Sequence, residues 1–280
     1  LESYYILPTD LSQGFDLREL VARWVDASVV SEIQPHFGQE IFACVGHIDG
    51  LALVFIGNSG TNHRNSEGNL QAGSILYADG ITKMQRIVRA CAEDGLPIVW
   101  LQDVAGFDVG AQAEKSALLA LGANLLYENA NNPHPQMTIL LRKASGAGYY
   151  AMSGLPYGPV LQLSTPLTRL AVMEGRTLAI GAFNTKLDDQ FRIVTSDPEE
   201  RAKIERGMKA VEDRITEDMD PYRAASQMDT DEIVAMHDLR AYLSAAVEMC
   251  YQSIGYRRVK NPRIWSLHDL AVLTEPGARE

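Results

Sequence analysis

Cysteine is scarce in this 280-residue chain: Cys44, Cys91 and Cys250 lie far apart, each among apolar neighbours. Such spacing works against a disulfide framework or a thiolate metal cluster and predicts buried, reduced thiols in a reducing cytoplasm. No apolar run approaches the roughly 20 residues that a membrane-crossing helix requires. Nor do the first residues carry a basic stretch followed by a hydrophobic core, so neither a membrane span nor a signal peptide is expected. Positive charge is also in deficit, with 25 Lys and Arg against 36 Asp and Glu and a formal net charge of −11. That balance disfavours nucleic acid and anionic membrane as partners, because both are held by clustered cations. The pair Arg257-Arg258 reads as solvated surface. Walker and Rossmann fingerprints are missing, as is any Cys/His set with zinc spacing, so no protein-bound metal is expected. The chain opens on Leu1 instead of Met, which fits processing, cleavage from a longer protein, or a missing upstream segment.

What is present is an ordinary globular composition, 46% hydrophobic and 22% charged, and two unusual stretches. Leu96–Leu101 runs into Gln102-Asp103-Val104-Ala105-Gly106-Phe107, and Thr138–Leu141 runs into Arg142-Lys143-Ala144-Ser145-Gly146-Ala147-Gly148-Tyr149-Tyr150. Each is an apolar run that breaks off in small residues ahead of a helix. A buried strand fits the run, and the small residues let backbone N–H groups face outward. Two such bends can hold one developing negative oxygen, which is the equipment for stabilising an enolate.

The rest of the chain reads as α/β. Asp16 is an N-cap candidate for a helix with Leu17, Leu20, Val21, Trp24 and Val25 inward, ending near Ala27. Strands Ile41–Ile48 and Leu51–Gly57 form a hairpin through Asp49-Gly50, a pair suited to positive φ. A polar, Gly-rich surface loop follows, from Asn58 to Gly68. A helix runs from Ile81 to Asp94-Gly95, then strand Pro97–Leu101, a helix from Ala113 to Asn129, and strand Met137–Leu141 feeding a third helix near Gly148. Short strands fall at Val160–Leu163 and Arg169–Val172. Asp197-Pro198-Glu199-Glu200 opens a charged, solvent-facing helical arm running toward Glu212. The last major helix starts at Asp238-Leu239, and the tail after Pro262 reads as loosely ordered. One domain spans 1–280, with a core at about 15–190 and helical elements at about 197–260.

These residues, with Asp231-Glu232-Ile233-Val234, resemble the C-terminal half of the biotin-dependent acyl-CoA carboxyltransferases across nearly the whole chain. Within that family Gly106-Phe107-Asp108-Val109-Gly110 and Ala113-Glu114-Lys115 are similar to the carboxyltransferase (alpha) subunit of glutaconyl-CoA decarboxylase. The resemblance implies a crotonase-like (ClpP/crotonase) fold of ββα superhelical units with C-terminal helices. It further implies carboxyl transfer between an acyl-CoA, glutaconyl-CoA-like and in the decarboxylating direction, and biotin on a carrier protein. Family members contain two halves, and this chain matches only the second. A separate chain carrying the first half, a biotinyl carrier protein and a homo- or hetero-oligomer are therefore the expected partners.

By the same resemblance, N–H groups near Gly106 and Phe107 and at Ala147 and Gly148 hold the biotin carbonyl oxygen, with Tyr149 and Tyr150 beside it. A tight strand-to-helix junction would also explain the glycines. Of the two tyrosines, one is expected to line the pocket and the other to pack. An acidic residue found in family carboxylases after the loop's Tyr is replaced here by Tyr150, so carboxylase acyl preferences do not carry over. Asn58, Asn62 and His63 stand where crotonase-like halves approach their ligand, although His63, a lone loop histidine without a visible carboxylate partner, reads as solvated. Asp103, Asp108 and Glu114 serve either to orient the first bend or as N-caps and helix-start charges. Arg142 and Lys143 are placed to pair with local acids or support the pocket. A biotin-independent decarboxylase or enolate-forming lyase, with a tyrosine delivering a proton, and a non-catalytic structural subunit are the competing readings.

Overall fold

The computed structural model describes residues 2–254, apart from positions 66 and 189. Arg257-Arg258 and the tail after Pro262 lie outside the described residues. In chain order the elements are helices α1 (Ser3–Ile6) and α2 (Leu17–Ala22), then strands β1 (Ser31–Glu32), β2 (Ile41–Ile48), β3 (Leu51–Asn58), β4 (His63–Arg64), β5 (Leu70–Gln71) and β6 (Ile75–Leu76). Next come α3 (Ala78–Asp94), β7 (Ile98–Val104), β8 (Gly106–Phe107), α4 (Ala111–Lys115), α5 (Leu118–Asn131), β9 (Gln136–Ser145) and α6 (Gly146–Ala151). The remainder is β10 (Leu161–Ser164), β11 (Arg169–Ala171), α7 (Gly175–Ala182), α8 (Pro198–Asp218), α9 (Pro221–Ser226), β12 (Glu232–Ile233) and α10 (Leu239–Ile254).

The main sheet runs β1-β2-β3-β7-β9-β10-β12, with β11 also paired to β9. Its β2–β3 hairpin is antiparallel, and every pairing from β3 to β12 is parallel. The hairpin turn is where the sequence puts it, with Asp49 and Gly50 at φ 52° and 80°. Alternation sorts the strand residues onto two faces. Phe42, Cys44, Phe55, Val99, Leu101 and Ile139 join Leu17, Leu20, Leu239 and Leu243 of α2 and α10. Ala43, Val54, Ile56, Ile98 and Trp100 join Ile81, Met84, Val88 and Leu125 of α3 and α5. Each such side chain contributes roughly 1.5–3 kcal/mol by leaving water. The three cysteines are buried, and none is in a disulfide. Among the described residues no helix is long and apolar enough to cross a membrane.

Four expectations need correction. The first helix stops at Ala22, and Trp24 and Val25 are buried in the turn beyond it. The helix expected over 113–129 is two helices, broken where Ala117 takes φ 57° and the Ser116 hydroxyl donates to the Ala113 carbonyl. Strands β7 and β9 run past Leu101 and Leu141, because polar residues that follow are buried with hydrogen-bond partners inside the fold: Gln102 Nε2 donates to the Met152 carbonyl and Arg142 pairs with Asp103. The charged arm is not solitary. Glu212 backbone lies against Gly175 of α7, and Gly207 faces the Phe183 ring, so α8 doubles back on α7.

Candidate active site

The two small-residue bends meet at the C-terminal ends of β7 and β9. After β7 the chain turns into β8, which pairs in parallel with β6. Ala105 N–H donates to the Ser74 carbonyl at 2.8 Å and Asp108 N–H to that of Leu76 at 3.0 Å. Alternation back from Asp108 turns the adjacent Phe107 N–H away from β6, the bend at Gly106 breaking the pattern that Ala105 begins. Gly106 takes φ 145°, and a Cβ built there meets nothing within 4 Å, so the space in front of it is open. After β9, Gly146 takes φ 51° and α6 begins directly, while the Ser145 side chain makes no capping hydrogen bond. The first-turn N–H groups of any helix lack intrahelical acceptors. Gly148 seats this turn on the first bend: its Cβ would lie 3.2 Å from Gly106 Cα and 2.6 Å from Val104 Cγ2. Glycine is required here by proximity, not by an unusual φ.

A cavity of about 780 Å³ opens beside the junction, walled by Phe107, Val109, Leu118, Leu119, Leu126, Ala147, Tyr150 and Tyr157. Its lining is mainly apolar, with Asp108 and Glu114 its acidic members. Val109 and Leu119 are 86% and 88% exposed, an unusual state for large apolar side chains grouped around one opening. A smaller cavity of about 280 Å³, lined by Gly146, Tyr149, Leu155, Leu170, Val172 and Asp229, lies on the other side of Tyr150. Such a site can accept a flat, mostly apolar group and offer backbone donors to one anionic oxygen.

A profile of the carboxyl transferase domain matches residues 1–263. The chain belongs to the carboxyl transferase family. It is 31% identical over 258 residues to the glutaconyl-CoA decarboxylase subunit alpha of Acidaminococcus fermentans, covering 89% of this chain and 43% of that protein. The propionyl-CoA carboxylase beta chain of Saccharopolyspora erythraea is 28% identical over 251 residues, again covering 89% and 43%. Transcarboxylase 12S superposes with a TM-score of 0.75 at 24% identity, covering 93% of this chain and 46% of the other. For the geranyl-CoA carboxylase beta subunit of P. aeruginosa the score is 0.78 at 21% identity, with 95% and 47% covered. The fold is therefore the crotonase-like one of these enzymes, and the chain spans less than half the length of the relatives it matches.

On this carboxyl transferase scaffold the neighbouring tyrosines divide their work. Tyr149 is buried, its O–H donating to Gln162 Oε1 at 3.0 Å and accepting from the Leu155 N–H at 2.9 Å. Burial holds its phenol above the ordinary value, and both hydrogen-bonding roles are taken, which removes Tyr149 as a proton donor. Tyr150 is 41% exposed and borders both cavities. Tyr149→Phe should therefore cost about 1–2 kcal/mol by stranding Leu155 N–H and Gln162, whereas Tyr150→Phe should stay within about 0.5 kcal/mol of wild type. Urea unfolding midpoints measure both.

Asn58, Asn62 and His63 do not line either cavity. Asn58 is buried and its Oδ1 accepts the Asp103 N–H at 3.1 Å, bracing the first bend from below. Asn62 is exposed in the loop after β3. His63 sits in β4, with Nε2 3.1 Å from Gln71 Oε1 and 3.6 Å from Glu40 Oε2. Its carboxylate partner lies 23 positions upstream, just before β2. Glu40 is fully buried and caps α3 by accepting the Gly80 N–H at 2.9 Å. Desolvation pushes its carboxyl up to about 7, against the pull of that hydrogen bond. Nearby Lys83, also fully buried, donates to the Ile41 carbonyl at 2.7 Å, and desolvation pulls its ammonium down to about 8. Glu40 and Lys83 were missed by sequence reading, since each looks like an ordinary charged residue in a helical or polar stretch.

Proposed function

We propose that this chain is the biotin-holding half of an acyl-CoA carboxyltransferase that acts with a separate chain carrying the other half and with a biotinyl carrier protein. The reading is supported above all by the seating of Gly148 on Gly106, which packs two donor-bearing bends against one open space. The residues fit the group: Gly106 leaves room for an approaching oxygen, the α6 first turn and Phe107 supply N–H groups, and Phe107, Ala147 and Tyr150 wall the cavity. Biotin, when bound, supplies the ureido nitrogen that accepts or releases the carboxyl group.

The chain's own part is electrostatic. Gly106 and Phe107 on one bend and Ala147 and Gly148 on the other point fixed dipoles at the place where negative charge gathers, with no reorganisation during reaction. The positive end of α6 adds a partial charge of the same sign. Tyr150 and the apolar wall keep water from the site, strengthening those donors. The exposed rim at Val109 and Leu119 supports a covering partner, since a free chain would leave that surface in water. The relative from Acidaminococcus fermentans, named as a decarboxylase subunit, favours a glutaconyl-CoA-like acid and the decarboxylating direction. Buried thiols without disulfides favour the cytoplasm.

The test is to co-purify this chain with its partner and measure carboxylate loss from acyl-CoA with and without free biotin. Biotin-dependent loss, with carboxyl recovered on biotin, is expected. Full-rate decarboxylation without biotin or its carrier would overturn the transferase reading in favour of a lyase. An assembled complex indifferent to bulky substitution at Gly106 and Gly148 would make this chain structural.

A further inference from the structure

The ladder between β7 and β9 changes register just before the two bends. Gln102 pairs with Leu140, but Val104 pairs with Ala144, so β9 carries two extra residues across this step. An irregularity of this kind leaves ladder groups unpaired and re-aims whatever follows it. Here one side chain fills the gap. Asp103 Oδ1 accepts the Lys143 N–H at 3.1 Å, while Arg142 spans both carboxylate oxygens, from Nε to Oδ1 at 3.3 Å and from Nη2 to Oδ2 at 2.7 Å. Both side chains are only 2% exposed. The remaining Arg142 nitrogen, Nη1, donates to the carbonyls of Pro8, Asp10 and Gln13 at 3.3, 3.3 and 2.9 Å. The guanidinium also lies 4.7 Å from the centre of the Phe15 ring.

Every nitrogen of a buried arginine thus has a partner, and the pair ties together three parts of the chain: the segment before α2, the end of β7 and, where Arg142 itself stands, the end of β9. A buried ion pair is poor evidence of stabilisation, because desolvation offsets its attraction and apolar replacements often serve as well. What it does provide is geometry. Asp103 stands three residues before Gly106, and Arg142 stands four before Gly146. Resting on the reading given under Proposed function, we infer that Asp103 and Arg142 are positioning residues whose bidentate pairing sets the offset of β7 against β9 and thereby seats Gly148 on Gly106. They touch no reacting atom and act through the bends.

Two readouts test this in the full chain assembled with its partner. Arg142→Lys keeps the charge but loses the fork. The double variant Asp103→Asn/Arg142→Met removes both charges of this pair, while Asn keeps an acceptor for the Lys143 N–H. Both are expected to assemble, with turnover per assembled complex at least tenfold lower and KM for acyl-CoA within twofold of wild type. Hydrogen exchange over 104–110 and 145–151 should be at least tenfold faster, with the 41–58 hairpin unchanged. Recovery of wild-type turnover in the double variant would overturn the inference, as would uniform acceleration of exchange throughout the molecule. Exchange is read without any reaction, so a wild-type complex lacking biotin-dependent turnover would defeat the functional reading while the positioning claim stood or fell on the exchange data.

Discussion

Gly148→Val should abolish most carboxyl transfer, lowering kcat by about 10²–10³ in a complex that still assembles. The first added carbon already falls 2.6 Å from Val104 Cγ2 and 3.2 Å from Gly106 Cα. A valine side chain can shift by a few tenths of an ångström, but the backbone of the first bend cannot do so without carrying its N–H groups along. Donors aimed at a developing oxyanion must lie about 2.7–3.1 Å from it, and loss of one typically costs about 3 kcal/mol of barrier. Gly148→Ala should therefore be impaired as well, though less. Gly181→Ala is the matched control, since its Cβ meets nothing within 4 Å and its φ is ordinary. That change should leave turnover intact and add up to about 1 kcal/mol of stability through helix propensity. Steady-state kinetics on complexes isolated by size exclusion make the comparison. Equal effects at Gly148 and Gly181, or normal turnover in Gly148→Val, would remove the bends from catalysis.

The features legible in advance share a property: their physical cause is local in sequence. Asp49-Gly50 announces its turn because both residues tolerate positive φ, and the turn fixes the hairpin register beside it. Gly106 and Gly146–Gly148 announce bends because small residues end apolar runs. The missed features depend on partners far away in the chain. Asp103 reads as orienting the first bend or as an N-cap and Arg142 as pairing with local acids or supporting the pocket, but nothing local shows that each answers the other across 39 positions. His63 looked solvated because Glu40 arrives from before β2, on the opposite side of a hairpin. Ala117 gives no hint of a left-handed conformation, since tertiary packing of Ala113 on one side and Leu118 on the other overrides alanine's helix preference. That Tyr149 is the tyrosine that packs is decided by Gln162 and the Leu155 amide, neither of which has a local signature.

Glu40→Gln should change the pH dependence of stability between pH 5 and 7.5. Glu40 has an ordinary value of 4.5 and rises to about 7 in the fold. Its contribution is therefore fully present below pH 4.5 and lost as pH rises through 7, a change worth about 3 kcal/mol. Lys83 runs in the opposite sense, from 10.5 down to about 8. Its contribution is complete above pH 10.5 and lost as pH falls through 8, by a similar amount. Together they place a stability minimum between pH 7 and 8 in the wild-type protein. Glutamine keeps an acceptor for the Gly80 N–H and carries no charge to desolvate. Urea unfolding of Glu40→Gln should thus show stability nearly constant from pH 5 to 7.5, exceeding wild type at the upper end by about 2–3 kcal/mol. Lys83→Met should instead remove the alkaline recovery and leave the acid limb in place. A wild-type profile that is level between pH 5 and 7.5, or one that Glu40→Gln does not alter, would mean that water reaches this carboxylate and that its burial at the head of α3 carries no energetic cost.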